Sequence, residues 1–269
     1  MITSYLMGGL GNILFQVSAA LSLGYSINKK IKFSIIDNQL SPQGNGIKNY
    51  KDNILSRLEF TEESFLHSNL VIYEEPSFSY TKIPEQFDNL ILKGYFQSEK
   101  YFKEHEEKIK NIFSESEEEN AYIEKKYGDL LKNYICTSIH VRRGDYLGLK
   151  DFHPFCSSEY YMESINYLKD TEKYIIFSDD LEWCKNNLYY LGLEKQIKNV
   201  IFIDEIDFLS LRIMSKTKNN IIANSTFSWW GAWLNNSENT VICPEQWFGE
   251  KLSHLDTKDL IPERWKKMK

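Results

Sequence analysis

The run Tyr134-Ile135-Cys136-Thr137-Ser138-Ile139-His140, followed by Val141-Arg142-Arg143-Gly144-Asp145-Tyr146, decides the fold. It is a short apolar, β-rich segment that ends in a polar turn broken by glycine. The same figure returns at residues 174–177, 200–203, 220–223 and 240–243. Stretches of helical spacing, roughly residues 157–170, 180–191, 206–217 and 227–236, separate these runs. Strands alternating with helices of this length predict an α/β unit with a parallel sheet covered on both faces. Ligands in such sheets bind at the C-terminal ends of the strands, so the informative residues should follow each run.

Upstream, residues 2–7 form an apolar run that Gly8-Gly9-Leu10-Gly11 interrupts. Asn12 can then open a helix that carries Phe15, Ala19, Leu23 and Ile27 at helical spacing. Gly9-Leu10-Gly11 resembles the start of a dinucleotide fingerprint, and Asp37 ends the next strand, residues 32–37, as a ribose-binding acid would. Leu14 stands where the third glycine belongs, so the glycines read instead as points of close approach. Residues 38–53 are polar and read as a long recognition loop. Ile91-Leu92 before Gly94-Tyr95-Phe96 predicts another strand. Residues 99–126 predict a charged helical stretch with Ile109, Ile112 and Phe113 on one side. The acidic run 114–120 reads as a linker, and the boundary is placed near residue 130, giving domains 1–130 and 131–269.

Composition narrows the partners. The chain has 269 residues, 42% hydrophobic and 26% charged, which suits a folded soluble protein and excludes a disordered one. No apolar run reaches the roughly 18 residues of a membrane span. The first residues carry no basic segment before Gly8-Gly9, so a cytoplasmic location is expected, with peripheral association at the inner membrane left open. A net charge of −6 argues against nucleic acid as the main partner. Cys136, Cys156, Cys184 and Cys243 are widely spaced and read as buried thiols. Arginine is rare, at 57, 142, 143, 212 and 264 only, among 32 basic residues. Two of the five stand side by side at a strand end, where a guanidinium fork suits a diphosphate.

Alternation along an extended segment turns Arg142 and Arg143 to opposite sides, with His140 on the side of Arg142. One arginine can face a ligand while the other pairs with Asp145 or packs beneath. After the second run, a carboxylate of Asp179-Asp180 can accept from the N–H edge of guanine or cap the helix that follows. Asp179 is read as the ligand contact and Asp180 as the cap. Asn224-Ser225-Thr226-Phe227-Ser228 places hydroxyls and free N–H groups at a helix start, an anion site that needs no metal. Trp229, Trp230 and Trp233 behind it read as core. There is no D-x-D triplet, so a metal-dependent sugar-nucleotide site finds little support.

These blocks, in order, resemble the α-1,2-fucosyltransferases of glycosyltransferase family 11. The matching segments are Gly8-Gly9-Leu10-Gly11-Asn12 with Phe15-Gln16, Gly94-Tyr95-Phe96-Gln97-Ser98, the His140–Tyr146 block, Phe177-Ser178-Asp179-Asp180, and Ser225-Thr226-Phe227-Ser228-Trp229-Trp230. One departure is Ile13, where the family has Gln. The resemblance implies a bacterial member with a GT-B-like architecture, two Rossmann-type domains facing a cleft. It implies inverting, metal-independent transfer of L-fucose from GDP-β-L-fucose to the 2-hydroxyl of a terminal β-galactoside, in cell-surface glycan biosynthesis. GDP-fucose would be donor substrate, a galactose-terminated glycan the acceptor, and no cofactor is implied. By carry-over, Arg142 would bind the β-phosphate, Asp179 and His140 the guanine, and Ser225 and Thr226, with Phe227 and Ser228 beside them, the phosphates or fucose. Gly11 and Asn12 would close the donor site from the first domain; residues 38–53 match no family segment, and acceptor choice is expected there.

In that reaction negative charge grows on the leaving diphosphate, and a fixed guanidinium with helix-start N–H groups stabilises it most in the transition state. Asp151, ranked first, and Asp145 and His153 are candidate bases for the acceptor hydroxyl. Two rivals remain at this stage: a non-catalytic carbohydrate- or nucleotide-binding protein, which would release no GDP, and an NAD-linked sugar oxidoreductase using the Gly9–Gly11 turn. Neither accounts for Arg142-Arg143.

Overall fold

A computed structural model describes residues 1–39, 46–65, 69–87, 89–235 and 239–269. The chain divides into two units, Met1–Ser116 with Leu255–Pro262, and Glu117–His254 with Glu263–Lys269. The division therefore falls at 116/117 and not near 130. Part of the recognition loop, residues 40–45, lies outside the described residues.

The first unit holds strands β1 (Ile2–Ser4) and β2 (Leu6–Met7), helix α1 (Leu10–Ser26), then β3 (Phe33–Ser34), β4 (Asn38–Gln39), β5 (Phe60–Thr61), β6 (Val71–Glu74), β7 (Leu90–Lys93) and helix α2 (Glu106–Ile112). All its strand pairs are parallel: β1-β7-β6, β2-β4 and β3-β5, with a bridge from Ile2 to Ile31 beside β3. Helix α1 is buried on nearly every side, from Leu10 and Ile13 to Leu21 and Leu23, because strands β1 and β2 and helix α2 with the turns before it all pack against it. It stops at Asn28, which takes φ 52° while Lys29 N–H reaches the Gly24 carbonyl and its own N–H the Tyr25 carbonyl, a left-handed cap.

The helical stretch expected over 99–126 is broken, with α2 ending at Ile112. The Arg57 guanidinium donates to the carbonyls of Asn111, Ile112, Ser114 and Glu115 at 2.6–3.3 Å, which satisfies the orphan acceptors at the end of α2 and ends it there. A new helix, α3 (Glu117–Asn133), starts in what the sequence suggested was a linker. It belongs to the second unit because Ile123 and Tyr127 pack with Cys136, Ile175 and Phe177. Glu205 accepts from Tyr122, Lys126 and Tyr127 at 2.6–2.9 Å and fixes it there.

The second unit continues with β8 (Cys136–Val141), α4 (Ser158–Tyr167), β9 (Lys173–Ser178), α5 (Leu181–Asn186), β10 (Val200–Phe202), α6 (Asp207–Met214), β11 (Asn219–Ile221), α7 (Thr226–Trp233), β12 (Thr240–Pro244) and β13 (Lys266–Met268). The six strands are parallel in the order β10-β9-β8-β11-β12-β13. Numbered within the unit this is 3-2-1-4-5-6, the doubly wound order of Rossmann-type sheets. Both faces are covered. Tyr174 and Ile176 of β9 join Ile139, Tyr160 and Tyr161 on one face, and the alternate Ile175 and Phe177 join Ile123, Ile213 and Met214 on the other. The α/β class and the five expected strands stand, each within a few residues. The sixth, β13, is an addition: its Lys266-Lys267 are exposed, which suits an edge strand and hides it from apolar patterning.

Candidate active site

In the order 3-2-1-4-5-6 the direction of winding reverses between β8 and β11, and the C-terminal ends of those two strands flank the crevice where ligands sit. The β8 end delivers Arg142 and Arg143. The β11 end delivers Asn224, Ser225 and the first turn of α7. Beside β8, the register His140↔Phe177 and Val141↔Ser178 brings Asp179 and Asp180 level with the two arginines.

Arg142 donates from Nη2 to Asp145 Oδ2 at 2.8 Å, and its Nη1 lies 3.3 Å from Asp179 Oδ2. Its Cζ stands 5.5 Å from the Tyr146 ring centroid. Burial lowers the guanidinium's pKa and the two carboxylates more than restore it, so its net shift is upward. Arg142, the residue assigned to the phosphate, is thus also the arginine that pairs with Asp145, while Arg143 turns the other way. Its guanidinium pairs with Asp180 and lies 4.7 Å from the Trp183 centroid. Asp180 Oδ1 also accepts the Trp183 N–H at 3.1 Å and caps α5, the role expected of it.

Asp179 accepts the Arg143 N–H at 2.9 Å as well as facing Arg142. That approach explains Gly144, since a Cβ there would sit 2.8 Å from Asp179 Oδ2. His140 is buried, its ring 5.5 Å from Phe227, with Nδ1 lacking a hydrogen-bond partner in the structure. Burial, then the Arg142 charge, push its pKa down to about 3, so it is a neutral imidazole at physiological pH.

At the β11 end Ser225 occupies the N-cap position of α7, but its side chain makes no capping bond. The N–H groups of the first turn have no partner within the helix. Thr226 and Phe227 are half-buried on this turn. Ser228 differs: it is fully buried, and its hydroxyl donates to the Ser225 and Ala223 carbonyls inside the unit. Trp229, Trp230 and Trp233 are core, as their sequence predicts.

Of the three base candidates, Asp145 is engaged with Arg142. His153 is stacked on Tyr146 at 5.0 Å and 18° and leans on Phe248, and burial lowers its pKa. Asp151 keeps a side chain 59% exposed, 3.3 Å from Lys251 Nζ.

Gly11 and Asn12 lie in the first unit, on the opening turn of α1. Gly8 has φ 82°, and a Cβ there would meet Asn12 Nδ2 at 2.5 Å. Gln16 holds this turn by exchanging hydrogen bonds with the Met7 backbone at 2.9 and 3.1 Å, and Asn12 Oδ1 accepts from Gln97 at 3.0 Å. Gln97 follows Phe96, a bulky residue at φ 52° that is fully buried. Glu75, which the sequence gave no reason to single out, keeps that conformation by accepting the Tyr95 N–H at 2.7 Å and the Phe96 N–H at 3.0 Å. Among the described residues no three His, Cys, Asp or Glu side chains gather as a metal site, and no helix is long and apolar enough to cross a membrane.

The model of the family described as glycosyl transferase family 11 matches residues 1–268. An α-1,2-colitosyltransferase of Escherichia coli is 32% identical, over 98% of this chain and 97% of its own. A galactoside 2-α-L-fucosyltransferase of Caenorhabditis elegans is 24% identical over 100% of this chain and 79% of its own. Among solved structures, the fucosyltransferase NodZ from Bradyrhizobium superposes with a TM-score of 0.54 over 85% of this chain and 91% of its own, at 12% identity, a likeness of fold.

Proposed function

The chain belongs to glycosyl transferase family 11, and on that premise we propose that it transfers L-fucose from GDP-β-L-fucose, with inversion, to the 2-hydroxyl of a terminal β-galactoside. The observation that carries this reading is the placement of Arg142 and the N-terminal turn of α7 after the two adjacent strands, β8 and β11, that flank the switch point of a doubly wound sheet. Both stabilise a leaving diphosphate without a metal. Arg142 takes the β-phosphate, Ser225 and Thr226 the phosphates or the sugar, and His140 and Asp179 the guanine edge. The GT-B-like reading is part of this proposal. Asp151 is the preferred base for the acceptor hydroxyl. A bacterial, cytoplasmic enzyme of surface-glycan synthesis fits the E. coli relative.

Incubation with GDP-fucose and a panel of β-galactosides, with linkage analysis of the product, tests the reading. An α-1,2-linked fucosyl product formed in excess chelator is the expected result. Absence of GDP release, or activity that only magnesium or manganese restores, counts against it.

The colitosyltransferase relative favours a second donor. Colitose is fucose without its 3-hydroxyl, so competition between the two GDP-activated sugars decides which one this site selects.

A further inference from the structure

Tyr146 makes three contacts that meet at one ring. Its face lies 5.5 Å from the Arg142 Cζ. Its other neighbour is the His153 ring, stacked at 5.0 Å and 18°, which rests in turn on Phe248 at 5.7 Å. Its hydroxyl donates to the Asn224 carbonyl at 2.9 Å. Asn224 immediately precedes Ser225, the N-cap residue of α7.

Asn224 is itself firmly held. It is 2% exposed, and its amide donates to the Pro154 and Trp247 carbonyls at 2.9 and 3.0 Å. The Tyr146 hydroxyl therefore ends on a fixed point and not on a mobile loop. Burial raises the phenol's pKa, so the hydroxyl remains a donor at any physiological pH. One side chain thus ties the guanidinium at the end of β8 to the helix start at the end of β11.

An arginine side chain has many rotamers, and its charge helps a transition state only where it is fixed before the reaction begins. Asp145 and Asp179 hold two terminal nitrogens of Arg142, which sets its reach. The plane of the guanidinium and its spacing from the α7 turn need a further constraint, and the Tyr146 ring and hydroxyl supply both. We propose that Tyr146 is a positioning residue, which aligns Arg142 with the N-terminal turn of α7 so that both act on the same leaving diphosphate. This rests on the transfer reaction proposed above.

Tyr146→Phe removes only the hydroxyl and keeps the ring. It should lower kcat by about tenfold while GDP affinity and donor KM stay near native, as expected when geometry is lost without a ligand contact. Tyr146→Leu, which also removes the ring, should lower kcat by about 100-fold. Retention of native kcat in Tyr146→Phe, or a loss confined to KM or to melting temperature, overturns the positioning role while the transfer reaction stands. A native protein that binds GDP but transfers no sugar overturns the reaction, and the positioning role falls with it. The graded fall in kcat from Tyr to Phe to Leu, at constant GDP affinity, is the result that supports it.

Discussion

Arg142 Nη1 lies 3.3 Å from Asp179 Oδ2. The residue assigned to the guanine edge is therefore also a support for the residue assigned to the phosphate, and both assignments meet in one substitution. In Asp179→Asn the amide oxygen can still accept the Arg143 N–H, but the ion pair to Arg142 is gone. GDP affinity should fall by about 1–3 kcal/mol, measured by titration calorimetry. Asp180→Asn keeps the α5 cap, since asparagine caps as well as aspartate, and loses only the pair with Arg143. It should lower the melting temperature and leave GDP affinity near native. The opposite pattern would reverse the two assignments.

The two arginines should separate in the same way. Arg142→Lys keeps a charge but loses the fork that engages Asp145 and Asp179 together, so turnover should fall by roughly 10²-fold or more with a smaller loss of GDP affinity. Arg143→Lys loses the stacking on Trp183 and should show mainly as a lower melting temperature. Steady-state kinetics and thermal melts on both variants check this. A folded but inactive Arg143→Lys beside an active Arg142→Lys would refute the facing of the two side chains.

What was legible in the sequence is what periodicity can carry. Residues 134–140 and the four runs after them are apolar because both faces of the sheet are covered, and their ends point to Arg142, Asp179 and Ser225. Interactions between distant residues left no such trace. The break between α2 and α3 depends on Arg57, more than fifty residues upstream of the carbonyls it caps. The sequence left open which arginine pairs with Asp145, and Arg142 does so because Arg143 leans on Trp183. Ser228 reads as one more helix-start hydroxyl until its burial is known. Glu75 is one acid among many in a stretch without clear order, and only the buried Phe96 turn gives it meaning.

Glu75 has its own pH signature. Burial raises its pKa, although the Phe96 and Tyr95 N–H groups and the Tyr101 hydroxyl pull it back. Between the unfolded value and the raised folded one, the folded chain keeps a proton that the unfolded chain releases. The group's contribution is therefore fully present at lower pH and declines as pH rises through the folded value. Glu75→Gln abolishes that slope, and because one carboxylate oxygen already accepts both N–H groups the amide oxygen can replace it, so stability at neutral pH should stay near native or rise. Urea denaturation across the acidic range reads both effects. An unchanged slope in the variant would assign the pH dependence to another group.

The base is separable from the support of Arg142 by what each removal does to GDP. A general base acts on the acceptor hydroxyl alone, so its loss lowers kcat and leaves GDP affinity intact. Asp145 touches Arg142 at 2.8 Å, and Asp145→Asn should weaken GDP binding together with turnover. Asp151 is exposed and lies 3.3 Å from Lys251 Nζ, which leaves its carboxylate accessible to solvent. Asp151→Asn should therefore lower kcat by about 10²–10⁴-fold with native GDP affinity. His153→Gln should fall between native and Tyr146→Phe, because the ring supports the Tyr146 stack and burial disfavours its protonated form. Should Asp151→Asn retain native kcat, the hydroxyl proton must pass to another acceptor, and the leaving diphosphate held by Arg142 is the next one to test.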